Sequence, residues 1–323
     1  MNGRAVAVVG AGISGLAAAR ELTKAGVAVT VLEKSRNLGG RMATRRSERF
    51  AFDHGAQYFT ARDPGFAAQL ATWTSSGDAA PWFENAIIGV PGMTAPARAL
   101  AEGTAIELSR TVTGLRRTGT GWQLDCVEGP IVQPPSGFDA VLLAIPAPQA
   151  MSILAKSSVP LPGVEAAIYS PCWALMVAFD EPIAGIPERL RPNDGTLSWV
   201  ALNSTKSGRP HLPACYVTHA RPDWSMTHLE LAPQAACEQL LAAFRRLADR
   251  PPAPPVHAVA HRWRYALVEQ AINQHCLWDA EARIGACGDW CLGSRVEAAF
   301  MSGVHLGQAA TAALEPQAFL ARQ

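Results

Sequence analysis

The sequence predicts an α/β protein: a doubly wound parallel sheet joined to a second, discontinuous mixed-sheet (α+β) domain. Three observations carry this expectation. The chain has 323 residues, about twice the usual domain length of roughly 150. A βαβ unit opens it. Farther along, strand-like runs are separated by Gly- and Pro-rich loops rather than by helices. Composition agrees with a packed globular protein, since 49% of residues are hydrophobic and 17% charged, which excludes disorder.

Val6–Val9 is a short apolar run that stops at Gly10, as a buried parallel strand does. Residues 14–25 are rich in helix formers, with Leu16, Ala19 and Leu22 on one face and Gly26 at the end. Val27–Leu32 reads as the next strand. Beyond it, Ile106–Leu108, Thr111–Arg116 and Gly121–Val127 suggest a meander, and Asp139–Ile145 a further buried strand closed by Pro146. Residues 172–180 and 214–220 read as strands of a different region, and 184–213 as loops around Leu197–Leu202. A helix is expected over 233–249, a stiff linker over Pro251–Pro255, and a long final helix from about Val296 to Leu314. The expected domains are 1–66, 90–147 and 282–323 for the first, and 67–89 and 148–281 for the second.

Several classes fall away on composition. Twenty-eight basic against 27 acidic residues leave no bulk charge for nucleic acid or an anionic membrane. The longest apolar run, 140–155, is interrupted by Pro146 and Pro148 and is too short to span a bilayer. Arg4 followed by uncharged residues imitates a signal peptide, but the same residues build the motif described next, so no leader is expected. Seven cysteines without C-x-x-C spacing suggest reduced core residues in the cytoplasm. His257, His261 and His275 lack metal-ligand spacing, so no metal site is expected. P-loop and nucleophile-elbow patterns are missing as well.

The chemistry begins at Gly10-Ala11-Gly12-Ile13-Ser14-Gly15, a G-x-G-x-x-G placed between strand and helix. The first glycine turns the chain, the second admits a pyrophosphate, and the third lets helix and strand pack closely. The helix N-terminus offers N–H groups and a positive dipole end to phosphate. Glu33 follows 18 residues after Gly15, where a carboxylate meets ribose hydroxyls, and Lys34 stands beside it. Gly39-Gly40-Arg41 supplies another close backbone approach and a guanidinium for the same pyrophosphate. Near the C-terminus, Gly288-Asp289 places an acid for a ribityl hydroxyl. Ser294-Arg295-Val296-Glu297 then forms a capping-box pattern whose helix would aim its dipole at a flavin.

The segments GAGISGLAAARELTKAGVAVTVLEKS, LGGRM, DHGAQYF and GDWCLGSRVEAAFMSG, with LSWVALNSTKSGRP, THARPDWS and HRWRYA between them, resemble the FAD-dependent amine-oxidase superfamily, most of all its renalase-like bacterial branch. The resemblance runs through the whole chain. It implies a Rossmann-type FAD-binding domain, a separate substrate domain and FAD held noncovalently. It further implies oxidation of 1,2-dihydro, and in some members 1,6-dihydro, isomers of NAD(P)H. The hydride goes to flavin N5, and O₂ then takes the electrons to give H₂O₂. Carried over by motif, the cofactor residues are Gly10, Gly12, Ser14, Gly15, Glu33, Lys34, Gly40, Arg41, Gly55, Ala56, Gln57, Val112, Gly288, Asp289 and Val296. No Gly-Gly-Cys setting for a covalent flavin is present, and the four tyrosines offer no assignable amine cage.

A dihydronicotinamide needs a flat slot and no protein base, because aromatisation drives the hydride out. Gln57, Tyr58 and Trp199 are expected to wall that slot. The substrate's phosphates need cations or polar groups, for which Asn203, Lys206, Arg209 and His219 are the candidates, on a run (203–209) able to close over the site. The expected partners are therefore a small dinucleotide substrate and O₂, with no nucleic acid and no membrane. Two rivals stay open: an amine oxidase or carotenoid-type desaturase of the same superfamily, and a non-enzymatic FAD-bearing redox sensor.

Overall fold

The computed structural model describes residues 4–47, 49–119 and 121–314; residues 1–3 and 315–323 of the expected first domain lie outside them. The chain divides into two compact units, one of residues 1–40, 100–167 and 270–323, the other of 41–99 and 168–269.

The first unit is built on a six-stranded sheet in the order 277–279, 284–286, 140–143, 5–9, 28–33, 105–108. All neighbours are parallel except the edge strand Leu277–Asp279. Ala5–Val9 and Ala140–Leu143 pair in register from Val6 opposite Ala140 to Val9 opposite Leu143, and Val6, Ala7, Val8, Val141, Leu142 and Leu143 are fully buried. Burial on both faces explains why these strands read as unbroken apolar runs. The helix Ile13–Lys24 follows the first strand. The last helix, Val296–Leu314, packs against it so closely that a Cβ on Gly303 would fall 2.0 Å from the Ser14 carbonyl oxygen. Ala105–Leu108 corrects the meander expected from the sequence. It lies parallel to Ala28–Glu33 at the sheet edge, and only Val112–Thr118 and Gly121–Cys126 form the antiparallel hairpin. The three runs have similar β character, and nothing local distinguishes a sheet edge from a hairpin arm.

The second unit carries a five-stranded sheet in the order 189–190, 197–202, 214–220, 168–179, 257–270. One face is apolar: Trp173, Leu175, Val177, Leu197, Val200 and Tyr216 pack on Ala236, Leu240 and Phe244 of the helix Pro233–Arg245. Across the strands, alternation sends Met176, Cys215 and Val217 to the other face, where they meet Phe52. Leu197–Leu202, read as an island among loops, is an inner strand of this sheet.

The unit bounds differ from the expected domains for reasons visible in the contacts. Residues 41–66 belong to the second unit, because Asp53 of the hairpin Thr44–Arg46/Ala51–Asp53 is bonded to Lys206 and Arg209. Residues 90–99 join it through the bond that Met93 N–H donates to Asp53. The helix Ala147–Ser157 belongs to the first unit, where Ser157 Oγ accepts from Leu115 N–H at 2.8 Å. Residues 270–281 belong there too, since Leu277–Asp279 completes the six-stranded sheet.

Candidate active-site residues in each unit

In the first unit, the residues singled out by motif gather at the carboxyl ends of its parallel strands, the edge at which open α/β sheets take ligands. Gly10 leaves the strand with φ +106°, and a Cβ there would lie 2.5 Å from the Ala144 carbonyl oxygen. A Cβ on Gly15 would lie 2.0 Å from the Gly10 oxygen. Gly12 is different. It caps the helix in extended conformation, without a side-chain cap and without an acid in the first turn, and a Cβ on it meets no atom within 4 Å. The first-turn N–H groups therefore face open space, as a phosphate requires. Glu33, 6% exposed, accepts at 2.8 Å from both Ala11 N–H and Ser35 N–H. These bonds pin its carboxylate against the glycine loop while leaving lone pairs for further donors.

Gly40 reaches the same place, its hypothetical Cβ 3.5 Å from Gly12 Cα, because Gly39 N–H bonds the Ala11 oxygen. Val112 is buried at the head of its strand, just after Arg110, whose N–H bonds the Glu33 oxygen. At the end of Ile284–Ala286, Gly288 N–H bonds Ser302 Oγ at 3.1 Å, and buried Asp289 opens the helix Asp289–Leu292. Val296 starts the final helix. Lys34 points elsewhere: its Nζ is exposed and donates to Gln149. This donor set, with an uncapped helix start, open space at Gly12 and a fixed carboxylate beside it, fits the pyrophosphate and ribose of a dinucleotide.

The second unit holds the remainder. Arg41 donates to the Ala266 carbonyl at 3.1 Å, and its own carbonyl accepts from Ala56 N–H. A Cβ on Gly55 would lie 2.0 Å from that same Arg41 oxygen. Gln57 is buried and held on both sides of its amide, donating to the Asp53 and Gly55 carbonyls and accepting from Lys206.

Lys206 and Arg209 correct the reading of phosphate cations. Both side chains are 0% exposed and pair with Asp53, at 3.2 and 2.6 Å. Arg209 also donates to the Gly89 and Ser207 carbonyls, and Lys206 to Gln57. Thr44 Oγ1 and Met93 N–H fill the other Asp53 oxygen. Burial pushes the Asp53 carboxyl up, but Lys206 and Arg209 outweigh it and hold it well below the usual carboxylate range. Burial lowers Lys206 to about 8. Asn203 is likewise internal, donating to the Ala51 carbonyl at 2.9 Å. The run 203–209 is thus an anchored segment and not a closing loop. Its polar letters suggested solvent, and only the fold supplied the buried aspartate that satisfies them.

His219 sits on the sheet opposite Trp199, its Nε2 3.2 Å from the His54 carbonyl oxygen. Trp263 Nε1–H bonds that same oxygen. Burial lowers both His54 and His219 to about 4, so both are neutral at pH 7. Tyr58 and Trp199 are brought together, with ring centroids 6.0 Å apart, in a cluster that the sequence did not reveal. Trp82 and Phe83 complete it, at 6.4 and 5.4 Å from Tyr58. Cations lie over these rings: Arg189 over Phe83 and Trp82, Arg191 over Trp199, and Lys206 over Trp82. One signal was available, the pattern Arg189-Leu190-Arg191, in which two cations flank an apolar residue as they would on one face of an extended segment.

Comparison with known proteins adds two sequence families and a fold. The model of the NAD(P)-binding Rossmann-like domain matches residues 8–71, and that of the flavin containing amine oxidoreductases matches residues 66–309. The 4,4'-diapophytoene desaturase (4,4'-diaponeurosporene-forming) of Staphylococcus aureus strain Newman is 48% identical over 50 residues, which is 16% of this chain and only 10% of that protein. Among solved structures, one provisionally described as a protoporphyrinogen oxidase from Exiguobacterium sp. 255-15 superposes with TM-score 0.76 at 14% identity, over 97% of this chain and 99% of that one. A redesigned putrescine oxidase does so with TM-score 0.69 at 14% identity, over 96% and 99%. At such identities the shared property is the fold.

Proposed function

The chain belongs to the flavin-containing amine oxidoreductases, and from that premise we propose that it oxidises dihydronicotinamide isomers of NAD(P)H in the manner of the renalase-like branch. FAD is the cofactor of this family, and the first unit's uncapped helix start, open Gly12 and pinned Glu33 fit its pyrophosphate and ribose. When bound, FAD would supply a hydride acceptor, and the hydride's two electrons and proton, with one further proton from solvent, would convert O₂ to H₂O₂.

The observation that carries the reading is the character of the aromatic face. Tyr58, Trp82, Phe83 and Trp199 form a wall for a planar ring, and two arginines without a carboxylate partner among the described residues, Arg189 and Arg191, lie over it. An amine substrate is a cation at neutral pH and is repelled there, whereas a phosphorylated dihydronicotinamide is an anion and is attracted. The nearby titratable groups fit a reaction without a protein base. His54 and His219 are weak bases held neutral by burial, and Lys206 is tied to Asp53. Trp199 and Tyr58 then hold the ring flat, and Gln57 stiffens the segment beneath Tyr58 through its bonds to 53 and 55. We assign the cofactor as noncovalent, because Cys287 and Cys291 are fully buried and burial raises both thiols, Cys291 to about 12.

Anaerobic stopped-flow mixing of the yellow protein tests the proposal. The visible flavin band is expected to bleach rapidly with 1,2-dihydro-NAD or 1,6-dihydro-NAD, and slowly with ordinary NADH or amines. Bleaching by amines alone would transfer the chain to amine oxidation. No bleaching by any donor would leave the redox-sensor reading and remove this one.

A further inference from the structure

We infer that Arg189 and Arg191 form an anion clamp that receives the phosphate groups of a nucleotide substrate; as a substrate subsite it rests on the reading above. Leu190 faces the sheet's apolar core, so Arg189 faces away from it, on the side that carries Trp199, and Arg191, just past the strand, lies over the Trp199 ring. Both arginines are exposed, and neither has a carboxylate partner among the described residues.

They are nevertheless held in place. The Arg189 guanidinium lies 4.1 Å from the Phe83 ring centroid and 5.6 Å from that of Trp82. The Arg191 guanidinium lies 5.0 Å from the Trp199 centroid and donates to Tyr58 Oη at 3.5 Å. A guanidinium laid on a ring uses its faces there and keeps its edge N–H groups for an acceptor. Two such edges, carried two residues apart in the chain, suit the oxygens of a diphosphate, which each can grip bidentately. The four rings that orient the arginines also offer a stacking surface to a base or nicotinamide. The cations suggested by the sequence, Lys206 and Arg209, cannot serve in this way because Asp53 holds both inside. Arg189 and Arg191 therefore set specificity for a phosphorylated substrate.

The test uses the FAD-loaded protein and ADP-ribose, a ligand with the diphosphate but no nicotinamide, with free nicotinamide as the uncharged counterpart. Binding is read from tryptophan fluorescence, to which Trp82 and Trp199 contribute. Arg189→Gln and Arg191→Gln are each expected to weaken ADP-ribose about tenfold, and the double variant about a hundredfold. The salt dependence of binding should flatten in step, while nicotinamide binding, the flavin spectrum and the melting temperature stay unchanged. With a dihydro-NAD donor, KM rises and kcat holds; Arg189→Lys/Arg191→Lys recovers part of the loss. Wild-type protein that fails to bind ADP-ribose, or a double variant that keeps wild-type affinity and salt slope, overturns the clamp. If dihydro isomers bleach the flavin and the double variant keeps its KM, the clamp falls and the function stands. If no isomer bleaches it but the double variant loses ADP-ribose, the function falls and the anion site stands.

Discussion

Asp53 is the residue on which the second unit turns. Four donors meet its two oxygens: Lys206 and Arg209 on one, Thr44 and Met93 on the other. One buried carboxylate faces two buried cations, and the surplus positive charge is partly relieved by the Trp82 ring 4.6 Å from Lys206 Nζ. Asp53→Asn keeps the shape and removes the only negative charge of the triad. It is expected to destabilise the protein by about 3–5 kcal/mol, because two cations are left uncompensated inside. Asp53→Asn/Lys206→Met should restore part of that loss, and melting curves of the two variants check it. Equal stabilities would show that Lys206 is not coupled to Asp53. Asp53 stands in the segment DHGAQYF, yet its role is not legible there, since the two cations it neutralises lie about 150 positions away in sequence.

At the scale of elements, two glycines in the first unit separate cofactor binding from folding. Gly12 faces open space in an extended conformation that any residue adopts. Gly12→Val is expected to yield folded but colourless protein, since the side chain occupies the volume that a pyrophosphate needs. Gly303 has no such room, because its face lies on the Ser14 backbone. Gly303→Val must push the final helix off the first one, and is expected to lose at least about 1–3 kcal/mol. The ratio of visible to ultraviolet absorbance, together with the melting temperature, distinguishes the two outcomes. A colourless variant with a wild-type melt at Gly303, or a yellow one at Gly12, would contradict this division. The strand–glycine–helix start was legible because every step of it is local. Ala105–Leu108 was not, because its place beside Ala28–Glu33 depends on a partner distant in sequence.

For the molecule as a whole, pH reads the buried histidines. His54 and His219 titrate near 4 in the folded protein, below the ordinary value of 6.5, because burial penalises the cation. Unfolded chains therefore bind more protons than folded ones between those limits. Their contribution to stability is fully present above about pH 6.5 and is lost as pH falls through about 4. His257 and His261 shift in the same direction. The melting temperature should accordingly decline from pH 6.5 to 4, and the decline should be shallower in His54→Gln/His219→Gln. An equally steep decline in that variant would assign the acid sensitivity elsewhere. No helix among the described residues is long and apolar enough to cross a membrane, and all seven cysteines are free.

What the sequence determined by itself was what local chemistry can specify. The glycine spacing dictates a turn, an open helix start and a carboxylate 18 residues farther on, and apolar runs ending at Gly10 and Pro146 dictate buried parallel strands. It also carried the α/β class and the flavoprotein family. Which charges face solvent was decided only by tertiary structure. Lys206 and Arg209 look in sequence like surface cations, as Arg189 and Arg191 do. The first pair lies within reach of a buried aspartate and the second within reach of four aromatic rings, two of them, Trp82 and Phe83, from a hairpin about 100 residues away. A charge is kept inside only where an opposite charge meets it, and such meetings between distant segments have no local signal to read.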